Sequence, residues 1–205
     1  KFVLIKAKKS LGQNFLIDKN IINKIVDVAD IQPNDNILEI GPGTGNLTES
    51  ILNKKPKKIY VIEKDKRLVN LLSERFKNQI TIINEDILKI SEHSISNDEL
   101  IVFGNLPYNI STQILSKWII STYKKKWYKS LILMFQKEVA NRILAKTNSK
   151  NYGRLTILSN WKLDVEKIID ISAYCFSPMP KVESSLLKFK NKKNILKSKM
   201  QKTLK

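Results

Sequence analysis

Three glycines at alternate positions, Gly41, Gly43 and Gly45, stand between a short apolar run and an amphipathic one. Glycine there lets the backbone turn sharply and lets a ligand approach main-chain N–H groups with no Cβ in the way. The run before them, Ile37, Leu38 and Ile40, has the character of a buried parallel strand. Asn46 opens the segment after them, where Leu47, Ile51 and Leu52 are spaced as on one helical face. Strand, glycine loop and helix start make a cradle for a nucleotide-like ligand. The spacing is G-x-G-x-G rather than G-x-G-x-x-G, so the loop alone does not select the ligand.

Two acids narrow the choice. Glu63 closes the β-branched run that begins at Lys58, and a carboxylate at that strand end can accept both hydroxyls of a ribose. That suits NAD and S-adenosylmethionine equally. Asp86 follows a further strand over residues 80–83, at the matching edge. Acids closing successive strands beside a glycine loop favour an adenosyl ligand.

The deciding stretch is Asn105-Leu106-Pro107-Tyr108, after the apolar run 100–103. Open α/β sheets place their ligands at this carboxyl end of the strands. The four residues fit methylation of an exocyclic base amine. An adenine N6 lone pair is delocalised into the ring and is a poor nucleophile. The Asn105 amide oxygen and the Leu106 carbonyl together can accept both N6 hydrogens, drawing the nitrogen towards tetrahedral geometry. Pro107 fixes φ and so fixes the carbonyl's direction. Tyr108 offers a flat face to the base, a contact worth about 1–3 kcal/mol in single-stranded recognition. No general base is demanded, because the amine becomes acidic only after it has attacked. A hydride-transfer enzyme would have no use for this tetrapeptide.

The elements that must position these residues alternate strand with helix. Asp18 is a good N-cap for a helix over 19–30, with Ile21, Ile22, Ile25, Val26 and Ala29 as its buried stripe and Pro33 breaking it. Asp65 caps another, with Leu68, Val69, Leu71, Leu72 and Phe76 facing the sheet. A polar stretch at 91–99 reads as loop and makes His93 a surface histidine. Further on come a helix with Ile114, Leu115, Trp118 and Ile119, ended by the 124–126 lysine run, then a strand at 131–135. A helix is predicted over 136–146 and another from near Gly153. Five strand-then-helix steps imply a mostly parallel sheet with helices on both faces. The last two strands, at 165–171 and 184–189, are joined by a proline loop too short for a parallel crossover, so they are expected to be antiparallel at one edge. The fold class is therefore α/β: a Rossmann-like, seven-stranded methyltransferase arrangement.

At 205 residues the chain can bury one α/β core. No apolar run approaches the length of a membrane span. A single Cys175 and a single His93 exclude a disulfide framework and offer no metal cluster, and fit a reducing cytosol. A chain that begins at Lys1 is expected to have been trimmed. The balance of 37 Lys+Arg against 19 Asp+Glu, net +18, predicts attraction to a polyanion, with nucleic acid ahead of a membrane surface. Lys6, Lys8 and Lys9 form a basic arm, and Gly12-Gln13-Asn14-Phe15-Leu16 behind them reads as a docked turn.

With these residues in view, the sequence resembles the rRNA adenine N6-dimethyltransferases, the KsgA/Dim/Erm family. The likeness runs through residues 12–16, 38–45, Glu63, Asp86, 104–108, 136–139, 152–155 and 176–182. Leu106 and the F-x-P-x-P-K-V-x-S run starting at Phe176 look more like the KsgA branch than the Erm branch. The resemblance implies transfer of four methyl groups from S-adenosylmethionine to two adjacent adenosines near the 3′ end of small-subunit (16S) rRNA, during ribosome assembly in the cytoplasm. It also implies that Asn14, Leu16, Gly41, Glu63, Asp86 and Asn105 hold the cofactor. Gly43 and Gly45 would complete the loop near its methionine end. Asn105, Leu106, Pro107 and Tyr108 would meet the target base, with Phe176 on the base's other face.

On that likeness residues 1–18 are expected to be a basic arm that closes on the cofactor, and 19–189 the methyltransferase domain. Residues 190–205 are expected to be the basic start of a C-terminal helical domain that this sequence mostly does not include, whether by truncation or because the protein is short. A monomer is expected, with the immature small subunit as partner. The rivals are an Erm-type enzyme acting on large-subunit (23S) rRNA, a non-catalytic rRNA-binding assembly factor, and a dinucleotide-dependent oxidoreductase.

Overall fold

The computed structural model describes residues 6–121 and 126–192. Most of the 124–126 lysine run and residues 193–205 of the expected C-terminal segment lie outside them. In chain order come β1 (Phe15–Leu16), α1 (Lys19–Val28), β2 (Asn36–Ile40), α2 (Asn46–Leu52), β3 (Lys58–Ile62), α3 (Lys66–Phe76) and β4 (Thr81–Ile83). Then follow β5 (Leu100–Asn105), α4 (Ser111–Ser121), β6 (Tyr128–Gln136), α5 (Lys137–Ile143), α6 (Arg154–Lys162), β7 (Leu163–Ile171), β8 (Phe176–Ser177) and β9 (Ser184–Asn191).

Seven strands form one sheet in the order β4-β3-β2-β5-β6-β9-β7. Every pair from β4 to β6 is parallel, while β9 runs antiparallel to both β6 and β7. The expected antiparallel hairpin is present at the edge, but its reversed member β9 lies inside it and β7 is the outermost strand. Strand residues alternate between two apolar layers. Leu38, Val102, Leu133 and Leu187 pack with α4, α5 and α6 on one face. Ile37, Ile101, Ile132 and Leu186 pack with α1, α2 and α3 on the other. Burial of each such side chain stabilises by roughly 1.5–3 kcal/mol, which holds the strand ends in fixed register.

Local signals set the helix ends. Asp18 Oδ1 accepts the Ile21 N–H at 2.9 Å, and Asp65 Oδ1 accepts that of Arg67 at 3.1 Å. Helix α1 stops before Pro33, because Asp30 takes a left-handed conformation at φ 51°. The helix predicted over 136–146 is shorter, since β6 runs on to Gln136.

A second, two-stranded sheet was not foreseen. In it β1 pairs antiparallel with β8, Leu16 opposite Phe176 and Phe15 opposite Ser177. It fastens the N-terminal arm to the proline loop at the carboxyl end of the large sheet. His93 is not a plain surface residue: it is half-buried, edge-on to Trp127 at 6.4 Å between ring centroids. Its neighbour Glu92, buried, accepts from Trp118 Nε1 and Lys117 Nζ at 2.7 Å each.

Candidate active site

At the carboxyl ends of β2, β3, β4 and β5 lies a cleft of about 220 Å³, covered by the arm. Asn14, Leu16, Gly41, Gly43, Glu63, Asp86, Asn105, Leu106, Pro107 and Tyr108 all line it, so ten of the sequence-predicted site residues share one cavity.

The glycine loop needs its glycines for three different reasons. All three have positive φ, at 63°, 58° and 86° for Gly41, Gly43 and Gly45. A Cβ on Gly41 would find room but would point at the Asn105 carbonyl 3.6 Å away, into the gap between loop and tetrapeptide. On Gly43 it would lie 2.7 Å from Phe15 Cδ1, so the arm's aromatic closes directly on the loop. On Gly45 it would lie 2.5 Å from Phe76 Cε2. Gly45 is thus off the cleft wall, and its small size serves the packing of α2 against α3 rather than contact with a ligand.

Glu63 is 7% exposed; its Oε1 accepts the Asp65 N–H at 2.8 Å, and the Gly43 and Lys64 amides also face it. Burial nevertheless pushes its carboxyl above the ordinary range. Asp86 is the opposite case: Lys64 Nζ at 2.8 Å and the Leu88 N–H at 3.0 Å hold it below the ordinary range, as a firm anion. A carboxylate with those two donors still has lone pairs to accept another.

The Asn105 side chain is oriented by the arm, its Nδ2 donating to the Asn14 carbonyl at 2.8 Å. That commits the amide's donor end and leaves Oδ1 as the acceptor. Leu106 lines the cleft as a buried residue, its side chain packed against Gly104, where an added Cβ would come 2.7 Å from Leu106 Cδ2. Tyr108, half-buried, shares a 2.6 Å hydrogen bond with Ser184 Oγ, and burial pushes its phenol up.

Phe176 is placed differently from the expectation. It is 3% exposed, does not line the cleft, and shares the core cluster of Leu16 and Met134. Its pairing with Leu16 puts it one layer behind the wall.

Sequence reasoning missed several contributors. Glu39, within the strand before the glycines, lines the cleft while its carboxyl is buried; Thr48 Oγ1 donates to it at 2.6 Å, and burial pushes its pKa to about 7. Asn46 Nδ2 donates to the Leu16 carbonyl at 2.9 Å. Asp65, read only as a cap, also binds Gln13 Nε2 at 3.0 Å and Arg67 Nη2 at 2.6 Å, and Arg67 reaches the Lys6 carbonyl at 3.1 Å. A strand-end acid and a cap are visible in a sequence, whereas partners 52 residues apart are not. Among the described residues no cluster of His, Cys, Asp and Glu could hold a metal ion, and no helix is long and apolar enough to cross a membrane.

A sheet of this order, with a glycine loop, strand-end acids and an amide-bearing strand end around one cleft, defines a Rossmann-like class I methyltransferase. The model for ribosomal RNA adenine dimethylases matches residues 4–204, and the chain belongs to that family. It is 60% identical over 202 residues to the ribosomal RNA small subunit methyltransferase A of Pelagibacter ubique (strain HTCC1062), covering 98% of this chain and 77% of that protein. Identity to the protein of that name in Mycoplasmopsis synoviae (strain 53) is 44%, over 97% of this chain and 75% of the other. Among solved structures, a dimethyladenosine transferase from Plasmodium falciparum superposes with a TM-score of 0.80 at 32% identity, covering 91% of this chain and 66% of that one. The 23S rRNA methyltransferase ErmE shares the fold with a TM-score of 0.75 at 24% identity, over 93% and 75% of the two chains.

Proposed function

We propose that this chain methylates N6 of two adjacent adenosines in the 3′-terminal loop of small-subunit (16S) rRNA, giving N6,N6-dimethyladenosine during ribosome biogenesis in the cytoplasm. The observation that carries this reading is the Asn105 amide: its Nδ2 is tied to Asn14, so its oxygen is set as an acceptor on the cleft that Glu63 and Asp86 also line.

The cleft suits S-adenosylmethionine, for Gly41 and Gly43 on its wall take conformations other residues rarely adopt, and the Gly41 position opens towards Asn105. Bound there, that cofactor would supply an electrophilic methyl group. Glu63 would accept from the ribose hydroxyls and Asp86 from the adenine amine, with Gly41 and Gly43 near the methionine end and Asn14 and Leu16 closing over it. Asn105 Oδ1 and the Leu106 carbonyl would accept hydrogen bonds from the two N6 hydrogens of the target, which favours a lone pair localised on the nitrogen. The proton is lost to solvent only after the nitrogen has gained its methyl group. Pro107 holds that carbonyl's direction and Tyr108 stacks on the base. Holding amine and methyl in near-attack contact is the main source of rate.

Incubation with labelled cofactor and unmethylated small subunits tests this. Two adjacent dimethyladenosines in the small-subunit rRNA are expected. In a parallel incubation with large-subunit rRNA, label on one adenosine there instead would establish the Erm-type reading, and no transfer to either substrate the non-catalytic one. Asn105→Ala is expected to lower turnover about a hundredfold or more, as losing one preorganised polar group does elsewhere. Cofactor affinity should fall only modestly; undiminished turnover would remove Asn105 from the reaction.

A further inference from the structure

The hydroxyl of Ser184 has no place in the methyl-transfer scheme, yet its position is closely fixed. Ser184 is fully buried and is the first residue of β9. Because β9 alone runs against the sheet, its first residue, not its last, lies at the ligand-binding edge. There it pairs with Gln136, the last residue of β6, on one side and with Ile171, the last of β7, on the other. Two ladders therefore hold its backbone.

From that anchor Ser184 Oγ meets the Tyr108 hydroxyl at 2.6 Å, and among the described residues it is that hydroxyl's one polar partner. The tyrosine's backbone is held separately, with its carbonyl accepting from Ser111 Oγ at 3.2 Å and the Ile110 N–H bonding the Pro107 carbonyl at 3.1 Å. Those bonds fix the turn but not the ring, which can still rotate about two side-chain torsions. The hydrogen bond at the far end of the ring fixes the first of these, and with it the direction in which the ring projects; the phenol oxygen lies on the axis of the second and leaves it to the packing around the ring. Ser184 does not itself line the cleft.

We infer that Ser184 is a positioning residue, which presets the Tyr108 ring for stacking on the target adenine through the Tyr108–Ser184 hydrogen bond. The inference rests on the methyl-transfer reading, since a ring needs presetting only if a base stacks on it. It gives the reversed strand a task in the site as well as in the sheet. It also accounts for the last serine of the F-x-P-x-P-K-V-x-S run, whose neighbour Ser185 is turned to Asp170 at 2.6 Å.

The test is a double-mutant cycle in turnover with unmethylated small subunits. Ser184→Ala and Tyr108→Phe should each lower kcat about five- to tenfold, the range expected for one buried hydrogen bond. The double variant should lose no more than the worse single variant, because both remove the same bond. The cofactor dissociation constant, measured by calorimetry, should stay within about twofold, where a general loss of folding would move it as well. Wild-type kcat in Ser184→Ala, or losses that multiply in the double variant, would overturn the inference while the methyl-transfer reading stood. If Ser184→Ala fails to fold, Tyr108→Phe decides, and an unchanged kcat there overturns the inference too. Absence of transfer by the wild-type chain would instead refute the reading beneath it.

Discussion

Glu39 shows how one residue's surroundings set its chemistry. It sits in β2 next to the glycine loop, 2% exposed, with Glu63 as a second acid nearby. Burial is the largest influence and raises its pKa, the Thr48 hydroxyl lowers it, and the Glu63 charge raises it again, giving about 7. The folded chain therefore keeps, between pH 4.5 and about 7, a proton that the unfolded chain releases. Stability contributed at this site falls as pH rises through that window and stays low above it. Glu39→Gln keeps an acceptor for Thr48 and removes the charge. It should leave stability unchanged at pH 4 and raise it at pH 8 by roughly 3 kcal/mol at most, one pKa unit being worth about 1.36 kcal/mol. Urea unfolding at the two pH values checks this; an equal effect at both would show that Glu39 does not titrate as described. None of this was legible in the sequence, where Glu39 reads as one more residue of a strand. Glu63 and Asp86 were legible because each ends a strand, and the ends of parallel strands are where ligands bind. Gly45 misled for the same reason: spacing groups it with the other two glycines, and only the approach of Phe76 distinguishes it.

At the scale of elements, the strands and helices were readable from apolar periodicity, and the boundaries moved by a few residues. The arm over residues 6–18 was readable as docked but not in its attachments, since every one of them is distant in sequence. Asn14 meets Asn105, Leu16 meets Asn46, Gln13 meets Asp65, and β1 meets β8. Asp65 links two functions, for its backbone N–H orients Glu63 while its carboxylate holds Gln13 and Arg67. The Arg67 guanidinium keeps that carboxyl well below the usual range, so the latch remains charged at neutral pH and weakens only on strong acidification. Asp65→Asn should loosen the arm, because Gln13 and Arg67 lose their charged acceptor, while the backbone N–H on Glu63 stays in place. Trypsin should then cut at Lys6 and Lys8 several-fold faster than in the wild type, and cofactor affinity should fall about tenfold, the loss expected when charge-assisted bonds to a buried carboxylate are removed. Faster cutting with undiminished affinity would mean that the arm closes without helping to hold the cofactor.

For the whole molecule, the decisive quantity is the net charge of +18, which no fold requires. Most of the carboxylates near lysines are already engaged, as in Lys54–Asp27, Lys57–Asp98, Lys126–Glu99 and Lys129–Asp35. Such exposed pairs add little to stability, typically about 0–1 kcal/mol. Their effect is to neutralise the acids locally and leave the surplus lysines as a long-range positive field. On the proposed function, a field of that sign would draw in rRNA before any base is read, while the cleft would supply selection through Asn105 and Tyr108. Separate origins for affinity and selection imply separate responses to salt. Binding to small-subunit rRNA, followed by filter retention or anisotropy, should weaken linearly on a log–log plot, each phosphate contact adding roughly −0.7 to −0.9 to the slope. Asn105→Ala should leave that slope unchanged, because the amide touches no phosphate, even as turnover collapses. A slope near zero for the wild type would show that the lysines only solvate the surface, and recognition would then have to come from shape and base contacts alone.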